Sequence, residues 1–270
     1  MSDGDSERRR GVTLATLGAT QILAWGSTYY LPAVLAKPIA ADTGWPLTWV
    51  IAGLSIGLLV AGLVSPRVGR VIQSRGGRPV LAFGSAGFGV GLIGIAIASS
   101  ITGYIAAWAV IGLAMACGLY DAAFATIGRL YGARARAAIT TLTLFGGFAS
   151  TVCWPLSAML LGTVGWRDAC LVYAGLHLAI ALPAHLIVIP GAAAHDAPAS
   201  VAAAPVAGDD AGDDPPGEHR LTQGQRALFA MIATSITLFG AIASIMSVHL
   251  LSILEARGVT LAAAVSLVRW

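Results

Sequence analysis

Residues 79–98 read PVLAFGSAGFGVGLIGIAIA, a stretch with no Asp, Glu, Lys or Arg, and Arg75 and Arg78 stand just before it. An α-helix rises about 1.5 Å per residue, so such a run reaches about 30 Å, the thickness of a bilayer's hydrocarbon core. Inside it, Gly89-Val90-Gly91-Leu92-Ile93-Gly94 matches the GxGxxG pattern of a dinucleotide-binding turn. That pattern cradles a pyrophosphate only between a strand and a helix, and an uncharged span offers no such setting. Gly87 and Gly91, and Gly53 and Gly57 upstream, are spaced by four residues. This spacing marks helix faces that pack closely.

The same pattern repeats outward along the chain. Uncharged blocks run over 11–36, 43–66, 79–98, 101–120 and onward, 137–166, 169–194 and 227–254 once their flanking charges are trimmed, and an eighth begins near Val259. The 270-residue chain is 57% hydrophobic and only 11% charged, and its mean hydropathy is +0.79. Soluble domains are about a quarter charged, so this composition predicts an all-α membrane protein with several spans. The first uncharged run is too long for the apolar region of a signal peptide, and it reads as the first span.

The net charge of +3 follows topology rather than nucleic-acid binding. Alternate loops hold Arg8, Arg9 and Arg10; Arg67, Arg70, Arg75 and Arg78; Arg129, Arg134 and Arg136; and Arg220 and Arg226. The loops between them hold only Lys37, Arg167 and Arg257. Basic residues stay on the cytoplasmic side, which predicts a multi-pass protein of the cell inner membrane with a cytoplasmic N-terminus.

Residues 191–225 differ in kind, being rich in Ala, Pro, Asp and Gly. They read as a flexible cytoplasmic linker. It separates a six-helix bundle over 1–190 from the start of a second bundle over 226–270, with helix seven and part of helix eight. The acidic Asp209-Asp210-Ala211-Gly212-Asp213-Asp214 resembles a metal-diphosphate box. Its Gly- and Pro-rich flanks make it solvated linker instead. Cys117, Cys153 and Cys170 lie in apolar stretches and read as small buried hydrophobes. No residue spacing supports a metal site, a cofactor or a catalytic nucleophile with its base, and the chain does not read as an enzyme.

Asp121 is the leading functional candidate. It lies within the fourth block, where an acid costs about 2.5–3.5 kcal/mol at the centre of a span. It reads as a proton-coupling or substrate-orienting carboxylate, or as half of a structural ion pair with Arg129 or Arg67. Gln21, Trp25, Thr28, Tyr29 and Pro32 share one face of the first block by spacings of three and four. That polar and aromatic stripe reads as a cavity lining with a kink at Pro32, and Tyr30 is turned away from it. His249 in helix seven is a further cavity candidate. His177 and His185 read as packing residues.

Gly69-Arg70-Val71-Ile72-Gln73-Ser74-Arg75-Gly76-Gly77-Arg78-Pro79 reads as the loop between helices two and three, and it resembles the signature loop of the major facilitator superfamily. In that family the loop latches the two halves in one conformation, which implies a conformational role for Gly69, Gln73, Arg75, Gly76 and Arg78. Gln73 stands where the family has an acid, and Trp108 where many members have an arginine. Thr48-Trp49-Val50, Gly77-Arg78-Pro79-Val80, Arg134-Ala135-Arg136-Ala137 and Gly165-Trp166-Arg167 are similar to the monocarboxylate or organic-anion porter branch. The resemblance spans residues 11–190.

It implies a secondary transporter of a small organic solute, a proton-coupled carboxylate among the candidates, working by alternating access in the lipid bilayer. Full members have twelve helices. The chain's end at Trp270 is therefore expected to be a truncation, with a C-terminal half missing. The alternatives are a membrane-embedded enzyme and a half-transporter that does not transport.

Overall fold

Pro32 and Gly44 set the first helix boundaries. The computed structural model describes residues 3–191 and 223–258, and among these it is helical almost throughout, with no strand. Helix α1 (Asp3–Ser27) stops before a turn at residues 28–30, and α2 (Leu31–Thr43) restarts with Pro32 in its first turn. A proline there loses no hydrogen bond, because the first N–H groups of a helix have no partner within it. Gly44, at φ 72°, closes α2 in the left-handed conformation and donates its N–H to Ala40. Helix α3 (Leu47–Arg75) then runs to Gly76, and α4 (Gly77–Ile97) follows at once.

The remaining spans are built from shorter pieces. Helix α5 (Ile101–Gly118) is capped by Ser100, whose hydroxyl accepts from the Gly103 N–H at 3.2 Å. Leu119 is extended, at φ −88° and ψ −167°, and separates α5 from α6 (Tyr120–Tyr131). A 3-10 turn at Gly132–Arg134 leads into α7 (Ala135–Gly147), and α8 (Ala149–Leu176) follows. Gly165, at φ 84° and ψ 172°, divides α8 into two helices. That backbone region is open only to glycine. A π turn at His177–Ala181 precedes α9 (Leu182–Val188), which carries a proline in its first turn. Pro183 has no N–H to give the preceding turn, which accounts for the widened helix there. Helix α10 (Gln223–Ala256) covers the seventh predicted block. Most of the expected linker and the eighth block lie outside the described residues.

Among the described residues, length and composition make four helical stretches able to cross a membrane: Leu47–Arg75, Gly77–Ile97, Ile101–Val188 and Arg226–Ala243. The third is far longer than one crossing and turns at Gly132 and Gly165. Contacts pin the two ends of the assembly. At the basic end, Arg10 donates to the carbonyl of Arg134 at 3.1 Å and lies 5.1 Å from the Tyr131 ring. At the other end, the Trp166 indole donates to the Asp42 carboxylate at 3.1 Å, and Arg167 forms a salt bridge with the same oxygen.

Glycines set how closely the helices approach. A Cβ on Gly112 of α5 would strike the Gly57 carbonyl of α3, and one on Gly84 of α4 would lie 2.9 Å from the Gly118 N. The Trp108 indole lies against Gly53 and Gly57, and Gly87 and Gly91 meet Ala114 and Ile111. The close faces expected from the glycine spacing are therefore present.

One core cluster surrounds Phe88, Tyr104, Trp108, Trp154 and Tyr173, and a second surrounds Leu17, Ile72, Leu81, Ile127 and Leu142. The outside is also apolar: Leu63 is 64% exposed, Ile97 73% and Ile187 80%. Apolar residues packed inside and spread over the outside fit a hydrocarbon solvent. Helix α10 lies beside α2, and Leu250 and Leu254 pack on the first cluster.

Two expectations change. The signature stretch is not a loop along its length, because Gly69 to Arg75 continue α3 and the reversal is made at Gly76, at φ 82° and ψ 165°. The polar residues there have helical spacing and sit beyond the apolar part of α3, so the helix extends past it. Tyr30 is not turned away: its ring lies 5.2 Å from Tyr29 and 5.8 Å from Trp154. The break at residues 28–30 ends the helical register from which its direction was reckoned.

Candidate functional site

Two interrupted helices meet where Gln21 crosses from α1 to α5. Its amide Nε2 donates to the carbonyl of Gly118 at 2.7 Å, and its Oε1 accepts from the Trp25 indole at 3.1 Å. The extended Leu119 takes Gly118 out of the helical ladder, and a buried carbonyl without a partner is costly. Gln21, fully buried, supplies the missing donor.

Around this junction the aromatic rings form a continuous group. Trp25 lies 5.2 Å from Tyr29, 6.5 Å from Tyr30 and 5.0 Å from Tyr120. Tyr120 stacks on Phe124 at 4.9 Å, and its hydroxyl donates to the Thr143 carbonyl at 3.2 Å. Trp25, Tyr29, Tyr30 and Tyr120 are half-buried. Trp154 closes the group from α8, buried, with no acceptor for its Nε1.

Asp121 follows Tyr120 in the first turn of α6 and is exposed. Its neighbours Ala122 and Ala123 face the core. A helix N-terminus carries partial positive charge, which eases the cost of an acid inside a span. Arg129 does not meet it: the guanidinium donates to the backbone carbonyl of Gln73, at the end of α3. Arg67 reaches back to the Leu63 carbonyl at 3.4 Å. Among the described residues no salt bridge involves Asp121.

The predicted stripe is thus brought together in part. Trp25 and Tyr29 join the ring group and are half-buried. Thr28 is fully buried and its hydroxyl donates to the Ala24 carbonyl at 2.6 Å, so it serves its own helix. His249 is exposed on α10. Tyr30, Tyr120 and Trp154 went unselected; the Tyr120-Asp121 pair inside an apolar block was the signal that pointed to Tyr120. His177 and His185 pack as expected. His185 bonds Ser85 at 2.9 Å through Nδ1 and Thr20 at 3.0 Å through Nε2, and His177 bonds Ser27 at 2.8 Å.

The family model described as Major Facilitator Superfamily matches residues 16–269. The chain belongs to the Major Facilitator Superfamily. Membership makes it a multi-pass membrane protein and places its role in membrane transport. No curated protein matched the chain. Arg129 thus reaches the signature stretch through a backbone carbonyl, at a position where the Gln73 side chain offers no charge.

Proposed function

We propose that the protein carries out secondary active transport of a small organic solute by alternating access, with Asp121 taking up and releasing the coupling proton. The observation that carries this is the exposed carboxylate at the start of a half-helix, next to the aromatic group built on Gln21 and Trp25. Interrupted helices at mid-membrane are a common way to build a solute site, since they free backbone groups and aim helix ends. A carboxylate with no salt bridge among the described residues can change its charge without breaking an ion pair there, as a proton carrier must.

In this reading residues 1–190 form one six-helix bundle, 191–225 a cytoplasmic linker and 226–270 the start of the second. The N-terminus faces the cytoplasm of the inner membrane. Trp25, Tyr29 and Tyr120 contact the solute, and the Gly76 turn with Arg129 on Gln73 holds one conformation.

The test uses proteoliposomes with an imposed pH gradient, a pH-sensitive dye inside and a panel of small organic solutes outside. Solute-dependent proton movement should be lost in Asp121→Asn while the variant still inserts and melts as the parent does. Unchanged proton movement in Asp121→Asn rejects the coupling role.

A further inference from the structure

We infer that the solute is an organic cation with an aromatic or alkyl body, bound between the half-buried rings of Trp25, Tyr29, Tyr30 and Tyr120 and the carboxylate of Asp121. This rests on the reading of that group as the solute site. The resemblance to carboxylate porters would favour an anion, and the chemistry of the site favours the opposite charge. Aromatic rings carry a negative face, which attracts a cation lying over it and repels an anion. Trp25 touches three other rings within 6.5 Å, and each of the four is half-buried.

The charge balance of the region has the same sign. Asp121 is exposed and adjoins Tyr120 in sequence. The partial charge of about half a unit at the α6 N-terminus offsets only part of a full negative charge. Arg129 is eight residues further along α6, about 12 Å at the helical rise, and its guanidinium is occupied by Gln73. Lys37 lies seven residues past Tyr30, about 10 Å along α2. The Trp154 indole N–H has no partner among the described residues and carries no charge, so it is a hydrogen-bond donor there and not a counter-ion. The Tyr120 hydroxyl is spent on Thr143. An anion placed here would meet a carboxylate and the π faces of several rings, while a cation would be attracted by both.

The experiment is equilibrium binding to the full 270-residue chain in lipid nanodiscs, with three probes of similar size: phenyltrimethylammonium, benzoate and benzyl alcohol. Phenyltrimethylammonium should bind saturably and at least tenfold more tightly than benzoate. Asp121→Asn should weaken it tenfold or more, and Asp121→Glu should retain most of it. Trp25→Leu should weaken it several-fold and Trp25→Phe less. Each variant is first required to keep the parent's thermal midpoint, and Asp121→Ser stands in if Asp121→Asn does not.

Benzoate binding as tightly as the ammonium probe overturns the proposal, as does ammonium binding that ignores Asp121, or no saturable ammonium binding. The assay reads no flux, so it separates the two readings. A chain that binds the cation without moving protons fails as a transporter and keeps this site. One that moves benzoate with protons is a transporter with the other solute class.

Discussion

Gln21 and Gly118, 97 positions apart in sequence, are joined by a 2.7 Å hydrogen bond from a buried amide to the carbonyl that ends α5. The bond makes a mid-span break tolerable, and the break aims Tyr120 and Asp121. Gln21→Leu keeps the volume and removes the donor. A buried acceptor without a partner costs about 1–3 kcal/mol. The thermal midpoint in detergent should fall accordingly, and Trp25 should lose its acceptor, changing the tryptophan emission. A midpoint equal to the parent's would mean that Gly118 finds another donor.

Gly112 separates the α3 and α5 backbones. Adding a side chain there drives a Cβ into the Gly57 carbonyl, which cannot move aside as a side-chain tip could. Overpacking of this kind costs about 1–3 kcal/mol or more. Gly112→Val should give little monodisperse protein after membrane extraction. Gly62→Ala, a site with nothing within 4 Å of the added Cβ, should extract as the parent does. Equal yields from the two would show that the helices separate freely at this contact.

The alternation of uncharged blocks and arginines carried the helical class and the places of the long apolar helices, because removing charge from hydrocarbon is the largest energy involved. Glycines four apart carried the close faces for a similarly local reason. The breaks at residues 28–30 and 118–119 were less legible. Pro32 marked the first, but as a kink rather than a full interruption. Nothing in Cys117-Gly118-Leu119 announces the second, since it depends on Gln21 from another helix. Once both breaks exist, helical spacing no longer says which way Tyr30 points. That is why the ring group was read as a stripe on one helix. The signature stretch was read as a loop because its composition is polar, whereas α3 continues through it and turns only at Gly76.

Asp42 and Arg167 close the end of the assembly away from the arginine-rich turns. The Arg167 hydrogen bond, then that of Trp166, holds the Asp42 carboxyl below the usual carboxylate range. A lowered pKa in the folded state means stability that is present above the unfolded value and is lost as pH falls through the folded value. The contact should therefore be unchanged from neutral pH down to about pH 5 and fail only below the ordinary Asp range, near 3.9. Emission of Trp166, isolated by replacing the other tryptophans with phenylalanine, reports the loss of its bond to Asp42. Arg167→Gln should move the midpoint upward. A midpoint above 5 in the parent would show that the pair does not hold the charge.

His185 uses both ring nitrogens, one on Ser85 of α4 and one on Thr20 of α1, and so ties α9 to two other helices. It is 2% exposed, so neither hydroxyl can turn to water if the ring is replaced. Thr20 also donates to the Thr16 carbonyl at 3.0 Å, which leaves it a fallback, while Ser85 depends more on the imidazole. His185→Phe should cost about 1–3 kcal/mol, the range for a buried polar group left unpaired. Ser85→Ala should cost about 0.5–1.5 kcal/mol, the net worth of one bond. Because the two groups share one bond, the double variant should lose less than the sum, by about 0.5–3 kcal/mol. Unfolding in mixed detergent measures all three. Losses that add within about 0.5 kcal/mol would show that the bond contributes no coupling, and α9 would then be held to α4 by apolar packing.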